Sequence, residues 1–334
     1  GFDAIREKFY VREFEKEFSD WINVKDSIAL ANGTIALDLA LLALKICHNN
    51  LNSEKPEVIV TSRTFIASVS SIVNVGAIPV FVDISRDSQN ITVETIKQAI
   101  TKNTKAIMCV HIAGWPCEMD KITELALENN LYVIEDCSQA HGAKYNGQMV
   151  GSFGDIAAWS FCQDKIMTTG GEGGMITTNN ESLWSIAWSL KDHGKSYSAV
   201  YEKQSTNSYR WLHESFGTNG RMTEMQAAIG RIQIRRMSDW NLARKTNANA
   251  ILKSCKKFPK VLRLPKLDNL VEHAWYKCYV FIRQEGLKEQ WSRDDIIEKI
   301  NDLGVPCFSG TCSEVYLEKA FDNKSFKPKK RLPI

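Results

Sequence analysis

The first half of the chain repeats one pattern: short apolar runs rich in β-branched residues, each followed by a stretch with helical periodicity. Such runs are the length of strands and are bounded by polar turn residues. The four clearest runs are residues 57–62, 79–84, 105–111 and 131–138. Apolar strands that alternate with helices predict an α/β fold with a mostly parallel central sheet covered on both faces. The segments DIAAWSF and GGMITTN predict two further strands, joined by a loop rather than by a helix.

The second half of the chain lacks this regular alternation of strands and helices. Residues 195–220 are polar with scattered aromatic residues, which predicts a long loop of the kind that is usually functional or mobile. Residues 223–255 form one helical stretch, and the run WYKCYVFIR over 275–283 predicts a strand. We therefore predict a large domain over residues 1–235 and a smaller α+β domain over 236–334.

Composition excludes several classes of protein. A formal net charge of +3 over 334 residues argues against nucleic-acid binding, which requires a basic cluster or stripe. The nine cysteines are odd in number and contain no C-x-x-C pair, so we expect free thiols in a reducing compartment and no metal site.

The longest uncharged run, residues 64–82, is split by Gly76 and Pro79, and we expect no membrane span there. No N-terminal leader is visible, and we expect a cytoplasmic protein.

The segment ANGTIALDLALLAL, residues 31–44, begins a helix with Gly33 and Thr34. The start of a helix exposes free N–H groups and the positive end of the helix dipole, so it can bind a phosphate. The alternative is an ordinary helix start that is capped by Asn32 or Thr34.

The segment LYVIEDCSQAHG places Glu135 and Asp136 at the end of a buried strand. Ligands of open α/β sheets bind at the carboxyl ends of the strands, where an acid can pair with a cationic group of a ligand. The alternative is an acid that only caps the following loop.

Lys165 lies in WSFCQDKIMTTGGEGGMITT, between the two strands that a loop joins. An amine near the low-dielectric edge of a sheet is costly to keep charged, and a neutral amine forms a Schiff base with an aldehyde. Most lysines instead extend to solvent. The glycines that follow allow close approach of a ligand, or they only shape the turn into the next strand.

These three segments together describe one ligand. It has a phosphate for the helix start, a protonatable ring nitrogen for Asp136 and an aldehyde for Lys165. Pyridoxal 5'-phosphate carries all three groups.

The sequence also resembles the DegT/DnrJ/EryC1/StrS family of sugar aminotransferases, which have the type I, aspartate aminotransferase-like fold in three layers. The matching segments occur in family order over most of residues 30–235 and are NGTIAL, TFIASVSSIVNVGAIPVFVDI, VHIAGWPCEMDKI, VIEDCSQAHGA, GDIAAWSFCQDKIMTTGGEGGMITT and GTNGRMTEMQAAIGRIQI.

The resemblance implies a role for each matching residue. Lys165 would bind the cofactor covalently and move protons, and Asp136 would pair with the ring nitrogen. Gln139 would bind the phenolic oxygen of the cofactor, and Phe65 would stack on its ring.

The phosphate would be held by Gly33, Thr34 and Ser160. Asn219 would reach the phosphate of the neighbouring subunit, which implies a homodimer with shared active sites. Arg221 would contact substrate or form a structural ion pair.

The implied reaction moves an amino group, usually from glutamate, to a keto-sugar linked to a nucleotide, for surface polysaccharide or other amino-sugar biosynthesis. Family members with histidine at the lysine position are dehydratases, so Lys165 favours amino transfer. The alternatives are a sugar dehydratase of the same fold or a non-catalytic protein that binds the cofactor. The family pattern begins before and continues beyond this sequence, so we expect the small domain to be incomplete at its end.

Overall fold

The computed structural model describes residues 9–47, 54–201, 212–310 and 312–322. Its helices are α1 (Tyr10–Ile22), α2 (Gly33–Ala43), α3 (Ile66–Asn74), α4 (Val93–Lys97), α5 (Met119–Glu128), α6 (Glu181–Lys191), α7 (Tyr197–Tyr201), α8 (Glu224–Ile234), α9 (Met237–Cys255) and α10 (Arg293–Asp302). Its strands are β1 (Asp26–Leu30), β2 (Glu57–Thr61), β3 (Ile78–Val82), β4 (Thr104–Val110), β5 (Tyr132–Asp136), β6 (Lys144–Tyr145), β7 (Gln148–Met149), β8 (Ile156–Ser160), β9 (Gly174–Thr178), β10 (Leu262–Arg263), β11 (Val271–Glu272) and β12 (Phe281–Ile282).

Seven strands form the central sheet in the order β1-β9-β8-β5-β4-β2-β3. The pairs among β3, β2, β4, β5 and β8 are parallel, whereas β9 pairs antiparallel with both β8 and β1. This confirms the predicted mostly parallel sheet. The direct loop from β8 to β9 explains the antiparallel pair, because parallel neighbours need a longer crossover connection.

Helices cover both faces of this sheet, as predicted. Alternate residues of one strand point to opposite faces: Val58 and Val60 pack in the core that α2, α3 and α6 cover, whereas Ile59 packs in the core beneath α4 and α5. A third buried cluster joins α1 to the sheet. The resulting three layers leave the ends of the parallel strands as the place where loops can build a site.

Helix α1 packs on β8 and α8 through aromatic side chains. Phe18 lies edge-on to Trp159, with the ring centroids 5.2 Å apart, and contacts Phe14 and Phe161 in the same way. Gly230 of α8 brings the two helices together, since a Cβ atom there would lie 2.6 Å from Cζ of Phe14.

Two elements differ from the sequence predictions. The helical stretch 223–255 is broken at Arg235 and Arg236 into α8 and α9. In the predicted strand 275–283, only Phe281–Ile282 pairs as a strand, because backbone groups nearby bind a loop of the large sheet instead. The long loop 195–220 contains the short helix α7, and its residues 202–211 lie outside the described residues. The domain division after residue 235 stays a prediction.

None of the helices in the described ranges is both long and apolar enough to cross a membrane.

We predict that Gly230→Ala lowers the free energy of unfolding by about 1–3 kcal/mol, because the added methyl group overlaps the ring of Phe14. Alanine favours the helix by about 1 kcal/mol, so a stabilised variant would contradict this packing. Thermal denaturation followed by circular dichroism measures the change. In a Phe14→Leu background the same substitution should be less destabilising, since the smaller side chain gives way.

Candidate active site

Four parallel strands end at one edge of the sheet, and the predicted site residues follow these ends. Asp136 is the last residue of β5 and pairs in register with Val110 of β4 and Ala158 of β8. Ser160 ends β8, and Phe65 follows β2 by four residues. The order β8-β5-β4-β2 places these ends side by side. The topology therefore gathers residues from distant parts of the chain where α/β sheets bind ligands.

The carboxylate of Asp136 is almost fully buried, at 5% exposure, and is held by two donors. The hydroxyl of Ser68 donates to Oδ2 at 2.8 Å, and the N–H of Ser138 donates to Oδ1 at 3.1 Å. Ser68 also pairs with the hydroxyl of Thr64 at 2.9 Å. Sequence reasoning missed Ser68 and Thr64, although the polar side of the segment TFIASVSS was a usable signal. These contacts fix the orientation of the carboxylate.

Phe65 lies at the start of α3, next to Thr64, and its side chain is 62% exposed. A large aromatic side chain is usually mostly buried in a folded protein. Here the ring stays open beside the network that ends at Asp136, so it is available to stack on a flat ligand.

Gln139 is buried and binds the loop that follows β4. Its side-chain Oε1 accepts the N–H of Ala113 at 2.7 Å. Ala113 has a φ of 58° and Gly114 a φ of 94°, so this loop turns through left-handed backbone. Because the carbonyl oxygen is engaged, the Nε2 group of Gln139 is the part left to donate to a ligand.

The start of α2 lies directly against the end of β8. A Cβ atom on Gly33 would be 2.6 Å from Cβ of Ser160, so only glycine allows this approach. Asn32 caps the helix, with Oδ1 accepting the N–H of Ile35 at 2.9 Å. The cap uses the N–H of Ile35 and leaves those of Gly33 and Thr34 without an intrahelical acceptor. The capping alternative is thus correct for Asn32 and is compatible with an anion site at the same helix start.

Lys165 lies in the loop between β8 and β9, with a side chain that is only 13% exposed. Its Nζ is 3.8 Å from Oδ1 of Asp164 and 5.2 Å from the ring centroid of Tyr276. The lysine therefore does not extend freely to solvent. Gly170 and Gly171, which follow it, have φ values of 88° and 131° and provide the left-handed turn into β9.

His141 lies near Lys165 but inside the protein. Its ring packs between Trp159 and Phe161, at 5.3 and 5.7 Å between centroids. Burial, together with the charge of Lys165, lowers the pKa of His141 to about 3. The imidazole is therefore neutral at ordinary pH and fills the core beneath the site.

Glu135 points to the opposite face of β5 from Asp136 and holds several segments together. Its carboxylate is fully buried and accepts N–H groups of Gly151, Phe153 and Gly154 at 2.8–2.9 Å. Its fourth contact is with Nε2 of His111 at 3.1 Å. The acid is therefore a structural anchor, which the strand-end position alone did not reveal.

His111, Glu135 and Cys137 lie close enough together to hold a metal ion. However, Nδ1 of His111 already accepts the N–H of Cys117 at 3.0 Å, so its proton is on Nε2 and is directed at Glu135. Because Nδ1 of His111 and both oxygens of Glu135 already accept protein N–H groups, the geometry is that of a hydrogen-bonded anchor.

Asn219 and Arg221 lie in the segment that leads into α8. Asn219 is exposed, and its backbone forms an isolated antiparallel β-bridge with Asp192. Arg221 forms an ion pair with the carboxylate of Asp192, which Lys195 also approaches at 3.5 Å. Burial opposes ionisation of Asp192, but the charges of Lys195 and Arg221 outweigh it and lower its pKa. Of the two alternatives for Arg221, the structure contains the ion pair.

Comparison with known proteins identifies the family. The DegT/DnrJ/EryC1/StrS aminotransferase family matches residues 4–334. A GDP-perosamine synthase of Escherichia coli O157:H7 is 40% identical over 310 residues, which cover 93% of this chain and 79% of that protein. The crystal structure of an aminotransferase from Psychrobacter cryohalolentis is 58% identical with a TM-score of 0.93, over 98% of this chain and 83% of that one.

A third similar protein shows the cofactor. The NtdA protein of Bacillus subtilis, solved with bound cofactor PMP, is 29% identical with a TM-score of 0.78, over 95% of this chain and 68% of that one. The chain belongs to the DegT/DnrJ/EryC1/StrS aminotransferase family. It is therefore an aminotransferase whose cofactor is pyridoxal phosphate, as the sequence predicted.

We predict that Glu135→Gln lowers the free energy of unfolding by about 3 kcal/mol, because an amide cannot accept all the N–H groups that now point at the carboxylate. Chemical denaturation followed by circular dichroism tests this. The matched control is Glu118→Gln, which removes an exposed carboxylate paired with Lys121 and should change stability by less than about 1 kcal/mol. Equal effects of the two substitutions would show that Glu135 is not an anchor.

Proposed function

We propose that this aminotransferase moves an amino group from glutamate to a keto-sugar linked to a nucleotide, in the synthesis of amino sugars for surface polysaccharide or related products. The similarity to a GDP-perosamine synthase and to a dTDP-3-amino-3,6-dideoxy-alpha-D-galactopyranose transaminase of Aneurinibacillus thermoaerophilus supports this substrate class. These names differ in the nucleotide and in the sugar, so the class is the level that they support.

The single observation that carries the proposal is the meeting of Asp136, the exposed ring of Phe65 and the helix start at Gly33 at one sheet edge, beside the loop of Lys165. These residues fit pyridoxal phosphate. The N–H groups at the start of α2 suit its phosphate, and the carboxylate of Asp136 suits its protonated ring nitrogen.

Each side chain then has a task. Lys165 binds the cofactor covalently and transfers the α-proton of the donor, and Asp136 keeps the ring nitrogen protonated. Gln139 donates Nε2 to the phenolic oxygen, and Phe65 supports the ring. Gly33, Thr34 and Ser160 hold the phosphate. When bound, pyridoxal phosphate supplies the electron sink that this chemistry needs.

We further propose a homodimer in the cytoplasm in which Asn219 completes the phosphate site of the partner subunit. The exposure of Asn219 and the full exposure of Phe216 in the same segment support an outward-facing contact. The buried cysteines Cys109, Cys117 and Cys137 are free thiols, which is compatible with a reducing compartment.

The first test uses the visible absorbance of the bound cofactor. We expect wild-type protein to show the band of a lysine-bound cofactor and to lose it on addition of glutamate, whereas Lys165→Ala should lack the band from the start. Lys121→Ala, an exposed lysine on α5, is the matched control and should behave as wild type. A band that persists in Lys165→Ala would move the covalent role to another lysine. A band that does not respond to glutamate or to other amino donors would favour a non-catalytic protein.

Substrate class is tested by offering GDP-, dTDP- and UDP-linked keto-sugars, with the keto group at C3 or C4, together with glutamate. We expect mass spectrometry to find the amino product for at least one of them. A product that has lost water and gained no nitrogen would instead support the dehydratase alternative.

Asp136→Asn should fold normally, because the amide oxygen can accept the N–H of Ser138 while the amide NH2 group donates to the hydroxyl of Ser68. We expect kcat to fall on the order of 100-fold or more, since the amide no longer stabilises a positive ring nitrogen. A variant with wild-type kcat would exclude the pairing of Asp136 with that nitrogen.

Shared active sites predict complementation between two inactive variants. Lys165→Ala and Asn219→Ala should each have low activity as homodimers. A mixed dimer has one site with both residues intact, so unfolding and refolding an equal mixture should restore about a quarter of wild-type activity. No gain on mixing, with mixed dimers shown to form by native mass spectrometry, would place Asn219 outside the partner's site.

A further inference from the structure

We propose that Asp164 and Tyr276 form a resting site for the amine of Lys165 while the cofactor carries the transferred amino group. This inference rests on the proposed covalent role of Lys165. In the first half of the reaction the amine of the donor would replace that of the lysine at the aldehyde carbon of the cofactor, an exchange of amines that oxidises nothing. The lysine would leave as an amine and take the proton that the donor's ammonium group gives up, and the chain would then hold an ammonium group close to the cofactor.

The free amine of Lys165 has two neighbours that suit an ammonium ion. Its Nζ lies 3.8 Å from Oδ1 of Asp164, which is within ion-pair distance. It also lies 5.2 Å from the ring centroid of Tyr276, which is within the range of cation–π attraction. Asp164 and Tyr276 are also hydrogen-bonded to each other: the tyrosine hydroxyl donates to Oδ2 of Asp164 at 2.8 Å. The two neighbours therefore act as one unit.

Tyr276 is held in place by the active-site loop that Gln139 also binds. The N–H of Ala274 donates to the carbonyl oxygen of Gly114 at 2.9 Å, and the N–H of Lys277 donates to the carbonyl oxygen of Ala113 at 3.2 Å. Tyr276 lies between these two contacts and is 8% exposed. These bonds explain why residues 275–280 do not extend the strand, and they fix a ring from the C-terminal part of the chain beside Lys165.

The charges around the amine favour a cation at this place. Burial opposes ionisation of Asp164, but hydrogen bonds from Cys162 and Tyr276 and the charge of Lys165 together lower its pKa, so it is a carboxylate at neutral pH. Of the other groups near Lys165, His141 is neutral. Lys277 adds a second cation 4.7 Å from the ring of Tyr276. Asp164 therefore provides the one negative charge among these neighbours.

Asp164 and Tyr276 are positioning residues under this proposal, since they act through Lys165. The side chain of Asp164 is 58% exposed, so its effect is expected to be modest. Its signature is thermodynamic: weakening the resting site raises the free energy of the released lysine and therefore favours the lysine-bound cofactor.

The test measures an equilibrium in the holoenzyme. Mixtures of glutamate and 2-oxoglutarate set the balance between the two cofactor forms, and the visible band reports it. Asp164→Asn should need about two- to five-fold more glutamate relative to 2-oxoglutarate for half conversion. Tyr276→Phe keeps the ring and should give a smaller change in the same direction, and Tyr276→Leu a larger one than Tyr276→Phe. At a pH high enough to leave the released lysine neutral, the difference between Asp164→Asn and wild type should vanish.

Matched controls come from a second pair of the same kind. The hydroxyl of Tyr145 donates to Asp120 at 2.7 Å, away from Lys165, so Asp120→Asn and Tyr145→Phe should leave the half-conversion ratio unchanged. Reduction with borohydride and peptide mass spectrometry show which lysine carries the cofactor.

Three outcomes separate the possibilities. Trapping at another lysine, or a band that no amino donor converts, would overturn the proposed function and this inference with it. Trapping at Lys165 with half-conversion ratios in the Asp164 and Tyr276 variants that match wild type would overturn the resting site alone. A changed ratio that persists at high pH would show a purely structural effect and would also overturn it. If Asp164→Asn does not fold, Tyr276→Phe, which loses a single oxygen atom, decides the question.

Discussion

The site depends first on a buried carboxylate that is not itself part of it. Glu135 accepts N–H groups from the chain just before β8 and a contact from His111 after β4, so it ties the ends of β4 and β5 to the segment that enters β8. Its neighbour Asp136 points to the other face of β5 and into the site. A rigid strand end is needed there, because a carboxylate can stabilise a charged ring nitrogen only when its position is fixed.

Around this anchor, the fold brings together residues that are far apart in sequence. The loop at Ala113 forms hydrogen bonds both with the side chain of Gln139 and with the backbone on either side of Tyr276. Through Tyr276 and Asp164, the C-terminal part of the chain is connected to the loop that carries Lys165. The Ala113 loop, the position of Lys165 and the packing of the C-terminal part are thus connected by a few polar contacts.

The sequence allowed the fold to be predicted, for identifiable reasons, whereas the roles of the candidate site residues stay predictions. Buried parallel strands are apolar throughout, so β2, β3, β4 and β5 were recognisable in the sequence. The strand predicted at 275–283 was largely wrong, because its backbone groups bind the Ala113 loop, and no local pattern encodes a distant partner. The break between α8 and α9 was missed for a similar reason, since both flanking segments are good helix formers and packing decides where they part.

The sequence by itself determined the chemistry available to this protein: an amine at Lys165, an acid at Asp136 and a glycine at the start of α2, in an order typical of one aminotransferase family. Only the tertiary structure decided which acid faces the site and which anchors the sheet, because adjacent residues of a strand point to opposite faces. It also decided that Arg221 pairs with Asp192 and that Lys165 lies between Asp164 and Tyr276. The sequence gives the residue types, whereas contacts between residues far apart in sequence exist only once the sheet and its loops are packed, as for Tyr276 and Asp164, which are 112 positions apart.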